Sequence, residues 1–246
     1  MTESSEGGSR SNRDCLIVFS GPSASGLDDP RIIRHSPASA GDLATAFRRG
    51  FTRIVYADSL FFDASPTHRE IIELLELGVD VIGCSSAGAL RAAELRSFGM
   101  RGIGIVHVLA RMGVIADDGE LGVLLNDDYS AAAYSLLQVR YYLGYLLHMG
   151  VARTDVSAAF EKIAAAYFML RSAAFIEDTI RSLLESQHAR SNWWQIGSPV
   201  FDLKGMDLER ALRQELRLGP PMPRVNMQWM RLGLSLGLPD RAPRWC

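Results

Sequence analysis

The chain has 246 residues, of which 48% are hydrophobic, and its formal net charge is −2 with a pI near 6.2. Enough apolar residues are present for a substantial core, whereas a charge this close to zero provides no basic field for nucleic acid or an anionic membrane. No apolar run approaches the ~18 residues that a membrane-spanning helix needs, and three scattered cysteines predict neither a disulfide framework nor a metal site.

The order of composition along the chain predicts four regions. Residues 1–13 are polar without an apolar signal segment, so we expect a disordered leader and a cytoplasmic protein. An α/β core is predicted over 14–128 and a helical region over 129–219. A Pro/Arg-rich tail follows over 220–246. We predict that the protein uses no cofactor.

Strand and helix patterns alternate in the first half of the chain. The predicted elements are a strand from Cys15, a helix over Asp42–Gly50, a strand over Arg53–Asp58, a helix ending at Gly78, a strand over Val79–Cys84 and a helix over Ala87–Ser97. Thr67 and Glu70 have the spacing of a capping box at the start of the second helix. Short links between such elements predict a mainly parallel sheet with flanking helices, followed by a helical C-terminal half.

Ligands bind beyond the carboxyl ends of parallel strands, and three predicted loops meet there. Their sequences are "SGPSASG", "DSLFFDASP" and "SSAG". The segment Gly99–Asp128 is glycine-rich, and we expect one or two strands and tight turns in it. Its acidic turn "ADDGE" has no histidine near it and is weak evidence for a metal.

The third loop places two serines between a strand and a helix, in "VDVIGCSSAGALRAAEL". Such a turn directs backbone N–H groups and the positive end of the helix dipole to one point. Three interpretations follow: a catalytic serine, an anion site without covalent chemistry, or a helix N-cap. Ser86 is the better candidate for a nucleophile because Gly88 follows it and a helix begins at once.

A nucleophilic serine needs a base, and His68 is the natural choice in the converging loops. Asp58 ends the second predicted strand and could orient a neighbour. Arg91 and Glu94 have the spacing of an ion pair on one helix. The first loop lacks the lysine of a Walker A sequence, which argues against a nucleotide site of that kind.

These residues resemble the TfuA-like family over about residues 16–128. The similarity lies in "VFSGPS", "SPASAGDL", "HREI", "SSAGALRAAELRSFGMRGIG" and "GVIADDGELGVL". The resemblance implies a partner of YcaO-type enzymes in peptide thioamidation, with a precursor peptide as a further contact. It also implies hydrolysis of the C-terminal thiocarboxylate of a ubiquitin-like sulfur carrier, which releases sulfide. No nucleic acid or membrane partner is implied.

The same resemblance implies a serine–lysine pair, and Ser86 matches the serine. Family members often have lysine where this chain has Arg69, and arginine stays protonated, so it cannot accept a proton. Arg69 can instead bind the thiocarboxylate. The role of the base then passes to His68, or to Lys162 from the helical half.

The predicted mechanism has Ser86 attack the thiocarboxylate carbon while His68 assists proton transfer. The predicted oxyanion and substrate site comprises Gly21, Pro22, Ser23, Asp58, Ala87 and Gly88. Two other functions remain open from the sequence. One is a non-catalytic docking partner that helps a YcaO-type enzyme bind its peptide, and the other is a phosphate- or nucleotide-binding α/β domain.

Overall fold

A computed structural model describes residues 12–23, 25–60, 65–115, 118–186, 195–219 and 224–236. Its strands are β1 (Leu16–Phe19), β2 (Ile32–His35), β3 (Arg53–Tyr56), β4 (Asp80–Gly83) and β5 (Arg101–Gly102). Its helices are α1 (Asp42–Arg48), α2 (His68–Glu76), α3 (Ala87–Glu94), α4 (Ile105–Arg111), α5 (Leu136–His148), α6 (Arg153–Ala165), α7 (Ala173–Ser186), α8 (Leu203–Glu215) and α9 (Met227–Leu234).

The five strands form one sheet in the order β2-β1-β3-β4-β5, and every pairing is parallel. All four residues of β1 are buried, as expected for a central strand whose two faces are both covered. The predicted α/β fold with a parallel sheet and a helical C-terminal half is confirmed. Loops after β1, β3 and β4 therefore lie at the same edge of the sheet.

The two faces of the sheet are covered by different parts of the chain. One face packs against α1 and α2 through residues such as Leu43 and Ile71. The other packs against α8, where Leu208 and Leu212 contact the side chains that β1, β3 and β4 direct to that face. Helix α8 thus belongs to the α/β layers, although it comes from the predicted helical region.

Helix α8 runs antiparallel to the strands and is fixed at both ends. At its C-terminus, Glu215 accepts hydrogen bonds from Arg53 at the start of β3 and pairs with Arg101. Near its N-terminus, the buried Asp207 carboxylate accepts hydrogen bonds from the first two N–H groups of α4, those of Ile105 and Val106. The start of α8 is thereby held at the carboxyl ends of the strands.

Three local predictions need correction. The predictions omitted β2, which is an edge strand with mostly exposed side chains and so has a weak apolar pattern. The segment Gly99–Asp128 contains one strand, the two-residue β5, within the predicted one or two, but it also contains the helix α4, which was not predicted. Thr67 caps α2 as predicted, but Glu70 completes no capping box, because its carboxylate accepts hydrogen bonds from the Gly41 and Ala44 N–H groups.

The predicted tail over 220–246 includes α9, which packs along α5. The two helix backbones approach closely because glycines face each other: a Cβ on Gly144 would overlap the Trp229 carbonyl oxygen, and one on Gly233 would overlap that of Arg140. The prediction for this tail relied on its proline and arginine content and therefore missed the contact between α9 and α5. The rest of this tail, and the predicted leader except for 12 and 13, lie outside the described residues.

This close approach predicts a stability effect. Gly144→Ala should lower the free energy of unfolding by about 3 kcal/mol, because rigid backbone must move to admit the methyl group. Urea unfolding measures the change. Gly26→Ala is the control, since a Cβ there meets no atom within 4 Å and its φ is not in the left-handed region. Equal stability of the two variants would contradict the α5–α9 contact.

Within the described part of the chain, no helix combines the length and the apolar character that crossing a bilayer requires.

Candidate functional site

The turn between β4 and α3, at the strand-end edge, is conformationally constrained. Ser85 has a φ of 64°, a left-handed conformation that is unfavourable for a residue with a side chain. Gly88 lies so close to β3 that a Cβ there would overlap the Tyr56 carbonyl oxygen, and its N–H donates to the Ala57 carbonyl. Strain and close packing together fix where Ser86 lies.

Ser86 occupies the N-cap position of α3, but its hydroxyl makes no capping hydrogen bond. The predicted N-cap position of this serine is thus confirmed, but the side-chain hydrogen bond that such a cap normally makes is absent. The residue is only 7% exposed and lines a small cavity of about 40 Å³. Among the residues that the structure describes, those that line this cavity are Ser59, Ser65, Ser86, Ala87, Leu90, Arg91, Asp118 and Leu121. We call it the Ser86 cavity.

An arginine other than the predicted one faces this cavity. Arg91 lines it, and its guanidinium donates to Glu94 at 2.6 Å, which confirms the predicted ion pair. The same Glu94 oxygen lies 2.7 Å from Nε2 of His68. Partial burial acts to raise the pKa of Glu94, but the hydrogen bonds from Arg91 and His68 lower it below its usual value. His68 thus reaches the cavity only through Glu94 and Arg91.

Arg69 is directed elsewhere. Its side chain is 88% exposed and pairs with Glu73 one turn later on α2. Neither Arg69 nor His68 lines the Ser86 cavity. Helical spacing explains why Arg69 faces solvent. Successive residues of α2 point about 100° apart, and the buried Ile71 and Leu74 set the face of this helix that packs on the core.

The arginines allow a direct comparison. Arg91→Gln should raise the KM for an anionic substrate by roughly ten- to a hundredfold, the value of a charge-assisted hydrogen bond, whereas Arg69→Gln should have a smaller effect. Steady-state kinetics of both variants with a thiocarboxylated carrier measures this. A larger increase in KM for Arg69→Gln than for Arg91→Gln would support Arg69 as the anion-binding residue, as the sequence predicted.

Most of the predicted oxyanion donors are already occupied. The buried Asp58 carboxylate accepts hydrogen bonds from the N–H groups of Gly21 and Ser23 and from the Ser23 hydroxyl, at 2.8–2.9 Å. Pro22 has no N–H to give. Asp58 therefore organises the first loop, and this loop does not supply the predicted oxyanion donors. Of the two N–H donors at the α3 start, that of Gly88 is used, whereas that of Ala87 donates to no backbone carbonyl among the described residues.

Lys204, which was not among the predicted site residues, lies at this edge. It is 6% exposed at the start of α8, and its Nζ donates to the Leu121 carbonyl at 2.5 Å. The Ser85 hydroxyl in turn donates to the backbone carbonyl of Lys204 at 2.9 Å. One end of this lysine thus contacts the neighbour of Ser86, and the other contacts a residue that lines the Ser86 cavity.

The surroundings of Lys204 favour its neutral form. Burial lowers the pKa of its ammonium group, although the nearby carboxylates of Asp58 and Asp202 act in the opposite direction. Lys162, in contrast, lies on α6, with its Nζ 5.9 Å from the Phe175 ring centre. The chain has only these two lysines. The scarcity of lysine was the one signal in the sequence that pointed to Lys204.

Lys204 does not itself line the Ser86 cavity but lines a second cavity of about 230 Å³. This second cavity lies between the first loop, represented by Pro22, and the helical half, and much of its wall consists of small residues. Val123 lines this cavity and Leu121 lines the Ser86 cavity, so one short segment borders both.

Comparison with protein families gives one match relevant to this site. Residues 58–172 match the family model described as TfuA-like protein. The matched range includes the β4–α3 turn and Arg91, and it ends before Lys204. A search of curated proteins finds no match.

Proposed function

The chain belongs to the TfuA-like family, and on that premise we propose that it hydrolyses the C-terminal thiocarboxylate of a sulfur-carrier protein and releases sulfide for a YcaO-type enzyme. Proteins of this family act as accessory factors in peptide thioamidation and have YcaO-type enzymes as partners. The observation that carries the proposal is the Ser86 hydroxyl, which caps no helix and lines a cavity beside a buried lysine.

Ser86 and Lys204 take the roles of nucleophile and base. Lys204 in its neutral form accepts the proton of the Ser86 hydroxyl as the oxygen attacks the carbonyl carbon. The carbon–sulfur bond then breaks, and the departing sulfur takes up that proton. Water hydrolyses the acyl-serine, so that thiocarboxylate and water give carboxylate and hydrogen sulfide. No oxidant or reductant is needed.

Arg91 gives the cavity its attraction for an anion. Its guanidinium is oriented by Glu94 and offsets the negative charge that Asp118 brings to the same wall. His68 supports this arrangement through Glu94 and is a positioning residue in the proposal. Ser85 has a similar task, because its hydroxyl holds the backbone of Lys204 in place.

The test is sulfide release from a purified ubiquitin-like carrier that bears a C-terminal thiocarboxylate. We expect the full chain to release sulfide catalytically, compared with the carrier alone. No release, also with the YcaO-type enzyme present, would overturn the hydrolase proposal. In that case, peptide binding by the YcaO-type enzyme is measured with and without the chain. Tighter binding in its presence would identify the chain as a docking partner.

A further inference from the structure

The side chain of Tyr56, the last residue of β3, is fully buried. Its hydroxyl is buried without a hydrogen-bond partner among the described residues. The Ser59 hydroxyl lies close enough to influence it but forms no hydrogen bond of acceptable geometry. Leaving a buried hydroxyl unpaired costs about 1–3 kcal/mol, and such groups in native proteins need an explanation.

The Tyr56 hydroxyl lies beside the Ser86 cavity. Four groups act on it electrostatically or as a neighbouring hydroxyl, and three of them, those of Ser59, Arg91 and Asp118, line that cavity, whereas Asp58 and Tyr56 itself do not. The backbone of the same tyrosine lies against Gly88, two residues after Ser86. Burial raises the pKa of Tyr56 to about 12, so the hydroxyl keeps its proton near neutral pH and is available as a donor.

Without this group, a single backbone donor of the predicted oxyanion set remains unused among the described residues. The N–H groups of Gly21 and Ser23 bind Asp58, and that of Gly88 binds Ala57. Ala87 is the remaining backbone donor of the predicted set. Donors that become fully bonded only in the transition state are the ones that accelerate a reaction, and an unpaired buried hydroxyl meets this condition.

We propose that the Tyr56 hydroxyl is a catalytic residue that donates a hydrogen bond to the oxyanion formed when Ser86 attacks the carbonyl carbon. This inference rests on the proposed hydrolysis and assigns it a further residue. Tyr56 gives up no proton: the Ser86 proton passes to Lys204 and then to the departing sulfur. The carbonyl oxygen gains negative charge in the attack and returns to a carbonyl when the carbon–sulfur bond breaks.

Tyr56→Phe tests the proposal in the full chain with the thiocarboxylated carrier. We expect kcat for sulfide release to fall about 10²–10³-fold, the usual effect of losing one oxyanion donor, with little change in KM. The free energy of unfolding in urea should stay equal or rise, because the deleted hydroxyl has no partner to lose. If Tyr56 had only a structural role, Tyr56→Phe would not lower kcat while leaving the free energy of unfolding equal or higher.

The matched control is Tyr142→Phe, since Tyr142 is also buried but lies on α5, in a different apolar cluster from Tyr56. An unchanged kcat in Tyr56→Phe, or equal losses in both variants, would overturn the role of Tyr56 while leaving the hydrolase proposal intact. A wild-type chain that releases no sulfide would overturn both, and the two failures are thus distinguishable.

Discussion

Ser86→Ala is expected to lower sulfide release by about a thousandfold or more, because removing the nucleophile of a cooperating set removes most of what the set contributes. The fold should be preserved, since the Ser86 hydroxyl makes no capping bond that the variant would lose. Sulfide detection measures the rate, and urea unfolding measures the stability.

Ser85→Ala is the matched control for this variant. The adjacent hydroxyl donates to the Lys204 carbonyl and is completely buried, so its loss should reduce stability and lower the rate less than Ser86→Ala does. If the Ser86→Ala variant released sulfide at the wild-type rate while Ser85→Ala did not, the nucleophile would be Ser85 and the assignment would be wrong.

Lys204→Met should lower kcat about 10²–10⁴-fold, the contribution usual for a positioned general base. Methionine has a similar length and buries no charge, but the Leu121 carbonyl loses its Nζ partner, so the free energy of unfolding should fall by about 1–3 kcal/mol. Lys162→Met is the matched comparison, because it changes the only other lysine of the chain. Equal losses in the two variants would contradict the choice of Lys204.

The pH dependence gives a second readout for the same lysine. Burial lowers the pKa of Lys204, so the native state holds its proton less tightly than the unfolded state does. Stability from this group therefore rises as pH increases from the lowered pKa towards 10.5, and the rate should rise as Lys204 loses its proton. Lys204→Met should lack both effects. A pH–rate profile of unchanged shape in this variant would assign the base elsewhere.

The parallel α/β framework and the position of Ser86 follow from local sequence patterns. Apolar strands such as β1 and β4 alternate with helices whose starts and stops are encoded locally, for example by Thr67 at the start of α2. A serine pair between a strand and a helix can be placed at the strand-end edge from this pattern alone. These features depend on neighbours in the chain, which is why they were predictable.

Which groups lie near Ser86 depends on how distant segments of the chain pack together. Lys204 comes from α8, 119 residues after Ser85, and it reaches the site because α8 covers one face of the sheet. The direction of a side chain from its helix separates Arg91, which faces the cavity, from Arg69, which faces solvent. The predicted N–H donors of Gly21 and Ser23 were lost to Asp58, because a buried carboxylate takes the hydrogen bonds nearest to it. Contacts between distant segments follow from packing, and no local pattern in the sequence specifies them.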